Sequence, residues 1–69
     1  MYEKPGTKLQ HYKGGRYTVI GLSTHSETLE EMVVYQNDVD KRIWVRPLDM
    51  FYEDIDNDYY RGPRFKVID

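Results

Sequence analysis

The sequence contains no cysteine, which removes disulfide staples and thiolate metal ligands together. A reducing, cytoplasmic setting is the expectation that follows. Long apolar runs are also missing: no segment approaches the roughly 20 residues needed to span a bilayer. Residues 1–15 carry charges and a proline where a signal peptide would have an apolar stretch. A soluble protein without membrane contact is therefore expected. Nor is there an excess of basic charge. Ten Lys and Arg residues stand against twelve Asp and Glu, for a net charge of −2, which argues against a dedicated high-affinity binder of phosphate backbones. Finally, length is short. A chain of 69 residues cannot divide its apolar side chains between two cores, so residues 1–69 are read as one domain. Its net stability should be small, roughly 3–5 kcal/mol.

What the chain does have is tyrosine, seven in all, whose rings can lie half-buried on a small sheet with their hydroxyls in water. Its charge is also unevenly spread. Glu53, Asp54, Asp56 and Asp58 form a solvated acidic loop over residues 53–58, and setting those four charges aside leaves the rest of the chain at +2. The basic N-terminal region, with Lys4, Lys8, Lys13 and Arg16, is expected to pair with that loop or to meet an anionic partner.

Residues 1–10 hold a Pro5–Gly6 pair and no periodicity, which reads as a loosely structured lead-in. Gly14–Gly15 marks the first clear turn. From Arg16 to about Thr24 the chain is β-branched and aromatic, a long strand with Gly21 as the place for a bend. A polar link, residues 25–30, leads to a second strand at Met32–Gln36. Asn37–Lys41 is a hairpin connection, and Arg42–Arg46 alternates as a third strand. If Ile43 and Val45 face the core, Trp44 and Arg46 share the opposite face. Pro47 ends this strand and opens a short helical turn whose Leu48, Met50 and Phe51 plug the core. Arg64–Ile68 closes the sheet.

This order predicts an all-β, mainly antiparallel fold: a small SH3-like half-open barrel of four to five strands with one short helical turn. The alternative is a flat antiparallel sheet completed by dimerisation, so the chain is expected to be a monomer or a weak homodimer.

Several motifs, in order, resemble a known family. His11–Tyr12–Lys13–Gly14–Gly15, Tyr17 with Val19, His25–Ser26–Glu27–Thr28 with Glu30, Val34–Tyr35, Trp44–Val45–Arg46–Pro47 and Met50–Phe51 are similar to the signature of a small bacterial family, the domain of unknown function numbered 1653. The likeness covers about residues 9–53. It implies a small, mostly single-domain cytoplasmic protein and carries over no catalytic residue. The acidic stretch and Tyr59–Tyr60 lie outside it.

Chemistry-bearing side chains concentrate in two places. His25, Ser26 and Glu27 invite comparison with a hydrolytic triad, but neighbours on a strand point to opposite faces, whereas a triad converges from separate segments. His25 and Glu27 would share a face; Ser26 and Thr28 suit a turn that bonds its own backbone. His11, His25 and Glu27 would make an acceptable zinc set, although nothing in their spacing requires it. Asp54, Asp56 and Asp58 alternate like the start of a calcium loop, but Tyr59 stands where that loop needs glycine and Phe65 where it needs glutamate. Gly14–Gly15 is too short for a phosphate loop. Trp44 and Arg46 form the second place: an indole beside a guanidinium offers a flat apolar platform next to an anion-binding fork, extended by Tyr17 or Tyr35.

The leading expectation is a binding module, with no catalytic residue, metal or cofactor assigned. Trp44, Arg46, His25, Glu27, Tyr35 and Tyr17 would recognise a peptide, a modified side chain or a small anionic ligand, as an unidentified protein or small molecule. A nucleic-acid module is the alternative, disfavoured by the charge, and a small hydrolase using His25 comes third.

Overall fold

The computed structural model describes residues 4–68. In chain order the elements are β1 (Lys8–His11), β2 (Arg16–Thr24), β3 (Glu31–Asn37), β4 (Ile43–Pro47), α1 (Leu48–Phe51), β5 (Asp54–Asp56), β6 (Arg61–Pro63) and β7 (Phe65–Val67). Five strands make one antiparallel sheet in the order β4-β3-β2-β1-β7, and β5 and β6 pair separately as a hairpin.

The main sheet is coiled. Phe65 on β7 and Tyr35 on β3 are separated in the sheet by β1 and β2. In a flat sheet such positions lie at least about 14 Å apart, three strand spacings. Their ring centroids are 5.3 Å apart, so the sheet wraps its own concave face around them and stays open between β4 and β7. The register slips between Val19 and Gly21 on β2, a bulge of the kind that bends a strand, at the glycine the sequence marked for it. A half-open barrel results, and the flat sheet awaiting a second copy is not the arrangement found.

Leu9, Val19, Val33, Tyr35, Phe51 and Phe65 form the buried core, with Tyr17, Leu48 and Tyr52 packed against it. Phe51 reaches it from α1, stacked on Phe65 at 4.8 Å. Pro47 supplies the N-cap of that turn, as its fixed φ allows.

Four expectations need correction. The lead-in of residues 1–10 contains β1, which pairs on both sides and buries Leu9 completely; residues 1–3 lie outside the described span. One aliphatic residue in four was too little to show as a pattern. The acidic loop is part of a hairpin: Asp54–Asp56 pairs with Arg61–Pro63, and Asp56 and Glu53 form ion pairs with Arg61 and Arg64 at 3.0 and 3.1 Å. The acidic stretch is thus met by downstream arginines. Met50 is exposed, leaving Phe51 and Leu48 to plug the core. The faces of β4 are also reversed. Trp44 stands opposite Tyr35 and Arg46 opposite Val33, both buried, and directly paired residues share a face. Trp44 and Arg46 therefore lie on the concave side, while Ile43 and Val45 point outward and are exposed.

Candidate functional site

Tyr35 anchors the site because β3 holds it between β2 and β4, directly across from Val19 and Trp44. The Nε–H of Arg46 donates to its phenolic oxygen at 3.3 Å. Tyr17, one strand over, meets the Tyr35 ring edge-on at 5.3 Å. Arg46 is half-buried and, among the described residues, has no carboxylate partner. A guanidinium so placed keeps most of its N–H donors available for a ligand anion. Trp44 does not stack with Arg46; Arg42 lies over the indole instead, 5.7 Å from its centroid. Alternation along β4 puts Trp44 and Arg46 on one side, and Arg42 lies just before the strand.

A further residue belongs here that the sequence offered only as a zinc ligand. His11 ends β1 on the concave side, opposite Phe65, and its ring lies 5.1 Å from Phe65 and 6.4 Å from Tyr17. Its Nδ1 accepts the backbone N–H of Lys13 at 3.1 Å. Burial, reinforced by the positive charges of Arg64, Arg46 and Lys13, holds its pKa below the ordinary histidine value. The neutral form is thereby favoured. The only sequence signal for this role was its place just before the Lys13–Gly14–Gly15 turn, which fixes the ring at the strand end.

Tyr17, Tyr35, Trp44 and Arg46 thus share one concave surface, with His11 beside them. His25 and Glu27 do not join it. They sit in the turn between β2 and β3, beyond the Thr24–Glu31 pair, which is about 13 Å along β3 from Tyr35 at the usual rise per residue. There the His25 Nδ1 accepts the N–H groups of Glu27 and Thr28 at 3.2 and 3.3 Å, while the Thr28 hydroxyl accepts that of Glu30. Leu29, at φ 62, completes the reversal. The turn does bond its own backbone, with His25 taking the part expected of Ser26. Because β2 separates His11 from His25, the zinc set cannot assemble. Among the described residues no group of three or more His, Asp or Glu side chains comes together to hold a metal.

The comparisons agree with the fold. The family model described as protein of unknown function (DUF1653) matches residues 7–67, a span that takes in the β5–β6 hairpin and Tyr59–Tyr60. A crystal structure of a protein belonging to DUF1653 from Bordetella bronchiseptica superposes with a TM-score of 0.80 at 32% identity, over 94% of this chain and 86% of that one. No curated protein matches the sequence.

Proposed function

The chain belongs to the DUF1653 family, and we propose that it is a binding module whose concave face takes a small anionic group, a carboxylate or phosphate presented by a peptide or a small molecule. One observation carries this reading: Arg46 is half-buried, oriented by the Tyr35 hydroxyl and matched by no carboxylate among the described residues. Leaving a partly desolvated guanidinium unpaired costs stability that a bound anion would return. His11 and Tyr17 border the same surface, and Arg64 and Lys13 add positive charge around His11. Trp44, 43% exposed, supplies an apolar ledge beside the guanidinium.

Titration of the labelled protein with phosphate, sulfate, acetate and a short acidic peptide, followed by NMR, tests the reading. Shifts should centre on the Arg46 Nε–H, the Trp44 indole N–H and His11. Replacing Arg46→Gln should weaken binding by about 10- to 100-fold, the usual effect of losing a charged hydrogen bond. Shifts centred on the His25 turn, or none with any anion, would refute it.

A further inference from the structure

At the far end of β1 from Lys8 a second aromatic surface begins at Tyr12, whose ring lies 4.6 Å from that of His11. Tyr12 and Tyr60 stack at 5.1 Å with their planes 21° apart. Two grooves share this stack as part of their walls. One, of about 220 Å³, is lined by Gln10, His11, Tyr12, Gly14, Tyr60 and Lys66. The other, of about 430 Å³, is lined by Tyr12, Lys13, Asn57, Tyr59 and Tyr60.

The stack is held in place in advance. The Tyr60 hydroxyl donates to the Pro63 carbonyl at 2.8 Å. Gly62, at φ +148, leaves the space in which a Cβ would lie 2.9 Å from that hydroxyl. The Asn57 Oδ1 accepts the N–H groups of Tyr59 and Tyr60, which fixes the turn and leaves the Asn57 amide N–H pair open to the larger groove. Tyr59 itself is 95% exposed. An aromatic ring that packs on nothing in its own chain presents a stacking face to a partner.

Charge narrows the partner. Each groove contains one lysine, Lys66 or Lys13, and the Lys13 ammonium already lies 5.8 Å from the centre of the Tyr12 ring. A quaternary ammonium would meet that cation. A simple carboxylate would satisfy the lysines and leave the ring faces unused. A nucleotide satisfies both, since its base has a π-face for tyrosine and its phosphate suits an ammonium. The nearby acids Asp56 and Glu53 are engaged by Arg61 and Arg64; Asp58, beside Asn57, is exposed.

We propose that the Tyr12–Tyr60 stack with Tyr59, Lys13 and Asn57 is a nucleotide-binding surface, the base stacking on tyrosine and the phosphate meeting Lys13. The nucleotide is either free or part of a single strand, for which the one lysine in each of the two adjoining grooves gives successive phosphates a partner.

Calorimetric and NMR titrations with AMP, UMP and a hexanucleotide single strand, at about 50 and about 200 mM salt, test this on the full chain. Shifts at Tyr12, Lys13, Asn57, Tyr59 and Tyr60 are expected. Binding of the hexanucleotide alone assigns the single strand, and comparable binding of AMP or UMP assigns the free nucleotide. Because Tyr59 is exposed, Tyr59→Ala should keep the fold and weaken binding by about 5- to 100-fold. Lys13→Gln should weaken it and flatten its salt dependence, and Asp58→Asn should strengthen it. Unchanged affinity in folded Tyr59→Ala, weakening by Asp58→Asn, loss of binding in Arg46→Gln with Lys13→Gln unaffected, or no shift with any of these ligands would overturn the proposal.

Discussion

The Nε–H of Arg46 donates to the Tyr35 hydroxyl at 3.3 Å, from a strand at the sheet edge to one inside it. The bond ties the one polar atom of a core tyrosine to the guanidinium that the proposed function relies on. Removing the hydroxyl with Tyr35→Phe keeps the ring and its packing against Tyr17 and Phe65. The expected cost is about 0.5–1.5 kcal/mol, that of one ordinary hydrogen bond. Arg46 then loses its orientation, so anion affinity should fall more than stability does. Urea unfolding and the anion titration, run on the same variant, check both halves.

The curl of the sheet makes Phe65 far more expensive. It touches Phe51, Tyr35, Tyr17 and His11 from a strand of only three residues. Phe65→Ala should cost about 3–5 kcal/mol, comparable with the whole stability of a domain this size. Its circular dichroism spectrum should therefore be that of an unfolded or heterogeneous chain. Phe65→Leu keeps most of the volume and should fold with a lowered melting temperature.

The faces of β4 show where the sequence stopped being informative. Periodicity did locate the strand, and Pro47 did end it. Which face was buried could not be read from Ile43, Trp44 and Val45, because on an edge strand all three remain 43–60% exposed and neither set is driven inside by burial. Register with Tyr35 and Val33 decides the matter, and register is a long-range property. β1 was hidden for a related reason: its place comes from pairing with β2 and β7, while its own four residues offer only Leu9 to the core. With β1 went the position of His11. The pairing of Trp44 with Arg46 was legible because alternation along one strand is a local signal that survives an error about which side is inside, whereas the joining of Tyr35 and Tyr17 to them depends on register.

The turn at His25 gives a cleaner separation of structural and binding roles. His25 Nδ1 accepts two backbone N–H groups, the work of a cap. His25→Ala should cost about 0.5–2 kcal/mol, the range for lost caps, and leave anion binding at Arg46 unchanged. His25→Asn, whose side-chain oxygen can accept the same groups, should recover most of the loss. Chemical unfolding of the three proteins checks the order. A drop in anion affinity in His25→Ala at equal folded fraction would instead place the turn in the binding site.

His11 should make stability and anion binding respond oppositely to acid. Its Nδ1 is an acceptor for the Lys13 N–H, and burial together with Arg64, Arg46 and Lys13 lowers its pKa in the folded chain. The unfolded chain, with the histidine near its ordinary value of about 6.5, therefore binds the proton more readily. Acid favours the state holding more protons, here the unfolded one, so this contribution to stability is fully present above about pH 6.5 and declines as the pH falls through the window down to the lower folded value. Urea midpoints should thus drop between about pH 7.5 and about pH 5.5. His11→Asn, which keeps an acceptor and removes the titration, should flatten that slope. Anion binding has the reverse sign. A bound anion offsets the cations around His11 and favours its protonated form, so by linkage acid strengthens binding over the same window. Phosphate changes its own charge there, so the titration is made with sulfate, whose charge is constant. Tighter sulfate binding at the lower pH, absent in His11→Asn, would show that His11 and Arg46 face the same ligand. A pH-independent affinity would place the anion beyond the reach of the His11 ring.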